Sequence, residues 1–283
     1  MGPDYARSTA HGPRSALRYT GAPRIPPGHP SHTPMKVVIL AAGVGERLAH
    51  AAGGRPKCLL EFGGCTLLAR HLRVLDRLEP ADVSIVTGFR HELILTEIAN
   101  IDTRAAVNPI INPDFRRGSV VSLWCARPVL ESGDDVVVMD ADVLCDPAVL
   151  QALFQTRHPN CFLMDRDFEP GDEPVKLCLQ GGRIVEFRKQ LAPDLLCDVQ
   201  GESVGFFRFA PKAARALAAR ATQYVDSGRS DAPYEEAIRD LVLGNPGAFG
   251  CEDVTGLPWI EIDFPRDIDR ARTEILPRIP TEI

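Results

Sequence analysis

No apolar run in this 283-residue chain approaches the roughly 18 to 20 residues that a membrane-spanning helix requires. Positive charge is not in excess either. The 32 Lys and Arg stand against 38 Asp and Glu, a net charge of −6, so nothing implies the basic face that holds nucleic acid. A small anionic ligand needs only a local cluster of Arg, Lys or metal, and that stays open. Eight cysteines are present but none is spaced Cys-x-x-Cys, which removes the usual zinc spacings. Several lie inside apolar runs, where Cys acts as a small buried hydrophobe. A secretory signal is also missing, and reduced cysteines without one predict a cytoplasmic protein. Internal repeats and low-complexity tracts are missing from the part after residue 34.

What is there begins with a change of texture. Residues 1–34 are rich in Pro, Gly, Arg and His and carry no periodic apolar pattern, which predicts a disordered leader. From Met35 onward, 36–40 reads as a short buried strand, 67–78 as a helix, 83–87 as a strand, 91–99 as a helix and 136–139 as another strand. That alternation predicts a parallel sheet with helices on both faces. Short apolar runs at 161–164, 175–179, 184–187 and 204–209 predict a mixed or antiparallel extension. Helices are expected at 211–225 and 233–243, a strand at 259–263 and a last helix near 266–276.

Three constellations carry chemistry. Leu40-Ala41-Ala42-Gly43-Val44-Gly45-Glu46-Arg47 follows the first strand. Gly43 and Gly45 allow a tight turn and close backbone approach, and amides exposed there near a helix start suit phosphate oxygens. Arg47, and Lys57 in Arg55-Pro56-Lys57, add positive charge. A dinucleotide fingerprint would need a third glycine where Leu48 stands, and a Walker loop would need Gly-Lys-Ser/Thr, which is missing. Alone, the Gly-x-Gly also reads as an ordinary turn. Second, Met139-Asp140-Ala141-Asp142-Val143 ends a buried strand. A carboxylate there points into the crevice where α/β ligands bind and suits magnesium, although a polar strand terminus reads the same way. Third, alternation in Trp259-Ile260-Glu261-Ile262-Asp263 puts Glu261 and Asp263 on one face. Two buried carboxylates would repel there without a cation, whereas a solvated strand face needs none.

Taken together, Leu40 to Arg47 with Lys57 resembles the signature of the sugar-phosphate and cytidylyl nucleotidyltransferase superfamily, whose enzymes join an NTP to a phosphorylated small molecule and release pyrophosphate. The segment 259–263 is similar to its counterpart in bacterial phosphocholine cytidylyltransferases. Asn112-Pro113-Asp114-Phe115, Gly118-Ser119 and Ser122-Leu123 resemble a segment beside the nucleotide and substrate in phosphocholine and phosphonate cytidylyltransferases. Val175-Lys176-Leu177, Lys189 and Gly201-Glu202-Ser203-Val204-Gly205 resemble the acceptor-binding part of that branch.

The resemblance implies an α/β, GT-A-like fold: a Rossmann-like, mostly parallel sheet with flanking helices and a smaller mixed-β acceptor-binding extension. Within one domain over 35–283, residues 35–158 would form the nucleotide-binding core, 159–258 the acceptor-binding part, and 259–283 the metal-binding strand and closing helix. CTP would be held by Leu40, Ala41, Ala42, Gly43, Gly45, Arg47, Lys57, Gly88, Ser119 and Asp140. The acceptor, a small molecule bearing phosphate or phosphonate, would meet Asn112, Ser122, Lys176, Lys189, Glu202, Tyr234 and Glu235. Magnesium would sit on Asp142 and Asp263 with Glu261 auxiliary, and Lys57, Arg47, Asp142 and Asp263 form the expected catalytic set. Tyr234 and Glu235 would meet a cationic head group through an aromatic face and a carboxylate, or merely begin a helix. Phosphocholine, 2-aminoethylphosphonate and an inositol phosphate are all candidate acceptors. A homodimer is allowed for, and no nucleic-acid or membrane partner is implied. Two other readings are a nucleotide-binding regulatory protein without chemistry and a sugar-nucleotide glycosyltransferase using Asp140-Ala141-Asp142; the glycine loop with Arg47 and Lys57 argues against the second.

Overall fold

Successive residues of a strand face opposite sides of a sheet, so a run such as Val37-Val38-Ile39-Leu40 is stable only where both faces are covered. In the computed structural model, which describes residues 35–48, 51 and 53–280, that run lies within a nine-stranded sheet. The leader expected over 1–34 lies outside the described residues. The chain forms β1 (Lys36–Ala41), a short hairpin of β2 (Glu61–Phe62) and β3 (Cys65–Thr66), α1 (Leu67–Leu78), β4 (Asp82–Thr87), α2 (His91–Asn100), β5 (Val107–Ile111), α3 (Ser119–Cys125), α4 (Arg127–Leu130) and β6 (Val136–Asp140). It continues through β7 (Val143–Cys145), α5 (Pro147–Gln155), β8 (Cys161–Asp165), β9 (Lys176–Gln180), β10 (Arg183–Arg188) and β11 (Val199–Phe209). Last come α6 (Pro211–Asp226), α7 (Tyr234–Leu243), β12 (Gly250–Asp253), β13 (Trp259–Glu261) and α8 (Pro265–Arg270).

β1 pairs in parallel with β4 on one side and β6 on the other, and β5 extends the parallel set beyond β4. The chain therefore leaves β1 in one direction and later returns on its other side. The carboxyl ends of β1 and β6 border the resulting crevice, where open α/β sheets bind ligands. β11 runs antiparallel beside β6 and then bridges to β8 and β9, so the expected mixed-β extension continues the same sheet.

Alternation sorts the strands' side chains into two cores. Val38, Val86, Val136, Val138 and Phe207 pack with Leu217 of α6 and Ile238 of α7. Val37, Ile39, Ile85, Val137 and Phe206 pack with Leu68, Leu72 and Leu75 of α1 and Leu153 of α5. α1 starts where the Thr66 hydroxyl accepts the Ala69 amide at 3.1 Å, a side-chain N-cap. A third cluster joins Leu48, Phe62 and Leu144 to Ile260, Ile262, Ile268 and Ile275, tying the glycine loop to the last part of the chain. All eight cysteines are free, and burial pushes the thiols of Cys58 and Cys145 up to about 12, as suits inert packing groups. Among the described residues no helix is long and apolar enough to cross a membrane.

Two expectations change in detail. The strand at 259–263 is regular only as far as Glu261, where it pairs with β7 in a separate two-stranded ribbon. The last helix ends at Arg270 and continues as a π turn over Ala271–Ile275, followed by a 3-10 turn over Leu276–Arg278.

Candidate active site

The loop after β1 turns tightly because Gly45 adopts a left-handed φ of 64°, and a Cβ there would meet Lys57 Cγ at 3.0 Å. Glycine is thus needed for the turn and for the passage of the lysine. The expected helix start is only a single 3-10 turn, Glu46–Leu48, closed by Leu48 N donating to Gly45 O at 2.9 Å. A helix dipole therefore contributes little, and backbone amides with nearby cations must do the holding. Leu48, at the position a dinucleotide fingerprint reserves for glycine, is fully buried in the third cluster and anchors the loop.

The β7–β13 ribbon explains how carboxylates far apart in sequence converge. Glu261 pairs with Val143 in its register, and Ile262 N donates to Asp142 O at 3.0 Å. Asp267 Oδ2 accepts the amides of Asp263 and Phe264 at 3.0 and 2.7 Å, fixing the backbone that carries Asp263. One oxygen from each of Asp142, Glu261 and Asp263 then lies within 4.8 Å of the others. Lys57 Nζ bonds Asp142 Oδ2 at 2.8 Å and Asp263 Oδ1 at 2.5 Å. Burial alone would lower the Lys57 pKa, but Asp142 and Asp263 outweigh it and the net shift is upward. Burial raises the Asp263 carboxyl, yet the adjacent Lys57 and then Arg47 bring it below the ordinary range. Burial followed by repulsion from Asp142 and Asp263 holds Glu261 well above the usual carboxylate range; burial, Asp142 and Glu235 do the same to Asp140.

Lys57 and the half-exposed Arg47 do not balance four carboxylates, and repulsion within the cluster adds to burial in raising Asp140 and Glu261. Three hard oxygen donors this close suit a small divalent cation, and magnesium takes a few carboxylates together with water and phosphate oxygens. Asp142, Glu261 and Asp263 are the residues able to hold it.

These groups open onto a cleft of about 450 Å3 at the carboxyl ends of β1 and β6. Leu40, Ala41, Ala42, Gly43 and Gly45 line it with Arg47 and Lys57. Asp140, Asp142, Glu261 and Asp263 line it too, together with Ser119, Ser122, Lys189, Tyr234 and Glu235. Residues 37–204, more than half the chain, match the family model described as MobA-like NTP transferase domain. The chain belongs to that family. The chain is 30% identical over 245 residues to the bifunctional IPC transferase and DIPP synthase of Rubrobacter xylanophilus, covering 84% of this chain and 51% of the relative. It is 24% identical to the CMP-5'-(3-aminopropyl)phosphonate synthase of Streptomyces rubellomurinus, covering 86% of this chain and 39% of that protein. The chain thus spans about half or less of the length of these two curated relatives. The inositol-1-phosphate CTP transferase of T. maritima has the same fold, with a TM-score of 0.68 at 20% identity over 88% of this chain and 98% of that one. The nucleotidyltransferase fold expected from the sequence is the fold observed.

Four residues placed by resemblance lie outside the cleft. Gly88 packs where a Cβ would overlap Phe115 and the Ala42 carbonyl, so it supports the loop from behind. Asn112 is 1% exposed; its Nδ2 donates to Ser122 Oγ at 3.0 Å and its Oδ1 accepts the Asp114 amide at 2.9 Å. Those bonds leave it a turn-forming residue. Lys176 is spent on three carbonyls, those of Gly171, Pro174 and Lys189, at 2.6, 3.3 and 2.5 Å. Glu202, opposite Lys176 in the β9–β11 register, faces a neighbouring acidic hollow.

Tyr234 lines the cleft in a different role from the one expected. Its side chain is buried, its ring meets Phe207 in a T-shaped contact, and its hydroxyl donates to Asp140 Oδ2 at 2.7 Å, which leaves little aromatic face for a cation. Ser119 Oγ accepts the Tyr234 amide at 2.9 Å, setting the start of α7. Gly205 completes the support of Asp140: it has a φ of 81°, and a Cβ there would overlap that carboxylate. Sequence reading missed Glu173, which accepts from Arg47 Nη1 at 3.0 Å and from Lys189 Nζ at 3.2 Å. No periodicity or motif marks an acidic residue in such a loop.

Burial, with Asp165 nearby, pushes the Glu202 carboxyl from 4.5 up to about 7. The folded chain therefore keeps a proton that the unfolded chain loses across this window, so stability falls as pH rises from 4.5 to 7. Glu202→Gln should match the parent below that window and exceed it by about 1–3 kcal/mol above it, after allowance for partial solvent access. Urea unfolding at both ends of the range checks this, and a variant no more stable at the alkaline end contradicts it.

Proposed function

We propose that this chain transfers CMP from CTP to a small molecule bearing phosphate or phosphonate, with release of pyrophosphate. The observation that carries the reading is Lys57 held between Asp142 and Asp263 beneath a glycine loop, a cation and a carboxylate cluster at one strand-end crevice. Loop amides and Arg47 would hold the β- and γ-phosphates, and Lys57 would turn to the α-phosphate. An acceptor oxygen attacks the α-phosphorus in line, the bond to the β-phosphate oxygen breaks, and pyrophosphate leaves. The acceptor is already an anion near neutral pH, so no side chain need remove a proton. The protein's contribution is alignment and charge neutralisation. Magnesium held by Asp142, Asp263 and Glu261 would supply further neutralisation of the phosphates.

The choice of CTP rests on the activities of similar proteins, among them the phosphonate synthase named for its CMP product and the inositol-1-phosphate CTP transferase. For the acceptor, Glu235 favours a cationic group beside the phosphate. Its Oε2 is buried without a hydrogen-bond partner, burial raises its pKa, and Lys189 lies near to take the phosphate. Likeness to the inositol-1-phosphate enzyme favours a polyol phosphate instead. Pyrophosphate release should be measured for four NTPs against phosphocholine, 2-aminoethylphosphonate and inositol 1-phosphate. CTP with one of these should give release well above the nucleotide alone. Release with no pair, or a preference for another NTP, would overturn the assignment.

A further inference from the structure

The cations of the cleft are paired with protein carboxylates in an unbroken series. Lys57 bonds Asp142 and Asp263; Arg47 Nη1 lies 3.5 Å from Asp263 Oδ2 and 3.0 Å from Glu173 Oε2; and that same Glu173 oxygen lies 3.2 Å from Lys189 Nζ. When phosphates occupy the cations, Asp142 and Asp263 have a replacement partner in the divalent metal they are placed to bind. Glu173 has none. It sits on Glu169-Pro170-Gly171-Asp172-Glu173-Pro174, a stretch with no helix or strand, beside the further acids Glu169 and Asp172. Lys176 binds the carbonyls of Gly171 and Pro174 together with that of Lys189, so this strap is fastened at its base to the strand end that carries Lys189. A carboxylate oxygen shared by two cations satisfies the donors that a phosphate oxygen would otherwise use.

We propose that Glu173 is a built-in competitor for the phosphates of both substrates. Its carboxylate holds Arg47 and Lys189 before loading, and nucleotide phosphates that take Arg47 expel it, which also releases Lys189 for the acceptor. This rests on the proposed function in assigning Arg47 to the nucleotide and Lys189 to the acceptor. Because one carboxylate serves both cations, nucleotide and acceptor assist each other's binding, and linkage requires the assistance to be equal in both directions. Arg47 and Glu173 are each 48% exposed and Lys189 is 43% exposed, so solvent screens the contacts and the effect is modest.

Titration calorimetry with Mg-CTP on the whole chain tests it. Glu173→Gln should bind about three- to tenfold more tightly than the parent, as expected for freeing a cation from half-exposed pairs. Glu169→Gln makes the same charge change on the same strap, but Glu169 pairs with Arg270 outside the series, so its affinity should stay within about twofold. Equal or weaker binding by Glu173→Gln overturns the inference, because a carboxylate that merely orients the cations would be missed when removed. Equal tightening by both variants also overturns it, since a general change of field would then suffice. A parent chain that binds no Mg-CTP contradicts the proposed function itself, and the inference falls with it; the two failures are thereby told apart.

Discussion

Replacing Lys57 with alanine should lower turnover by roughly 10^2- to 10^3-fold, the usual consequence of removing one donor aimed at charge that develops in a transition state. The sheet should stay folded, because Lys57 enters none of the three apolar cores. Stability should nevertheless fall, by about 1–3 kcal/mol, since Asp142 and Asp263 lose the cation between them and both are only partly screened by water. The pH dependence has a definite sign. Lys57 is raised, so its contribution is complete below about pH 10 and is lost as pH rises through the folded value. Asp263 is lowered, so its contribution is complete above about pH 4 and is lost as pH falls through the folded value. Between those limits the variant should melt below the parent at every pH. Steady-state pyrophosphate release alongside melting curves reads both effects, and turnover within tenfold of the parent would remove Lys57 from the chemistry.

Asp142→Ala should be at least as damaging to turnover, by several orders of magnitude, but with a different stability signature. The substitution deletes a bond to Lys57 and also relieves repulsion on Asp140 and Glu261, which are both held above the ordinary carboxylate range. Those effects oppose each other, so the unliganded melting temperature should move little. What should vanish is stabilisation by Mg-CTP, which for the parent amounts to about 2.7 kcal/mol at a hundredfold excess over Kd. Melting with and without Mg-CTP separates a lost metal ligand from a damaged fold. An undiminished ligand shift in the variant would show that Asp142 does not hold the metal.

The parts of the site legible in the sequence have strong local causes. A continuous β-branched run can only be a strand buried on both faces, and the glycines and cations after it sit at its carboxyl end by necessity. Leu48 argues against a dinucleotide loop from its position, and the structure adds that it is a core residue. Other features depend on partners distant in sequence. β7 is three residues long, too short to show a period, and exists because it pairs with β13, whose alternation was legible. Asn112 carries the polar chemistry of a binding residue, but its amide is consumed by Ser122 and by its own turn. Lys176 has the charge of a phosphate ligand, but three carbonyls from two segments surround its ammonium. Tyr234 has an aromatic face suited to a cation, but what it presents is a hydroxyl bonded to Asp140.

The ribbon of β7 and β13 also orders events in time. Lys57 and Asp263 are separated by 206 positions, so their contact must await residues made well after the lysine. A nascent chain that has already assembled β1, β4 and β6 can collapse around its apolar strands while its reaction centre is still missing a side. The glycine loop and Asp142 then spend that interval without Asp263 and Glu261. On the proposed function, competence for nucleotidyl transfer should therefore arrive after the sheet, when the segment carrying Glu261 and Asp263 docks.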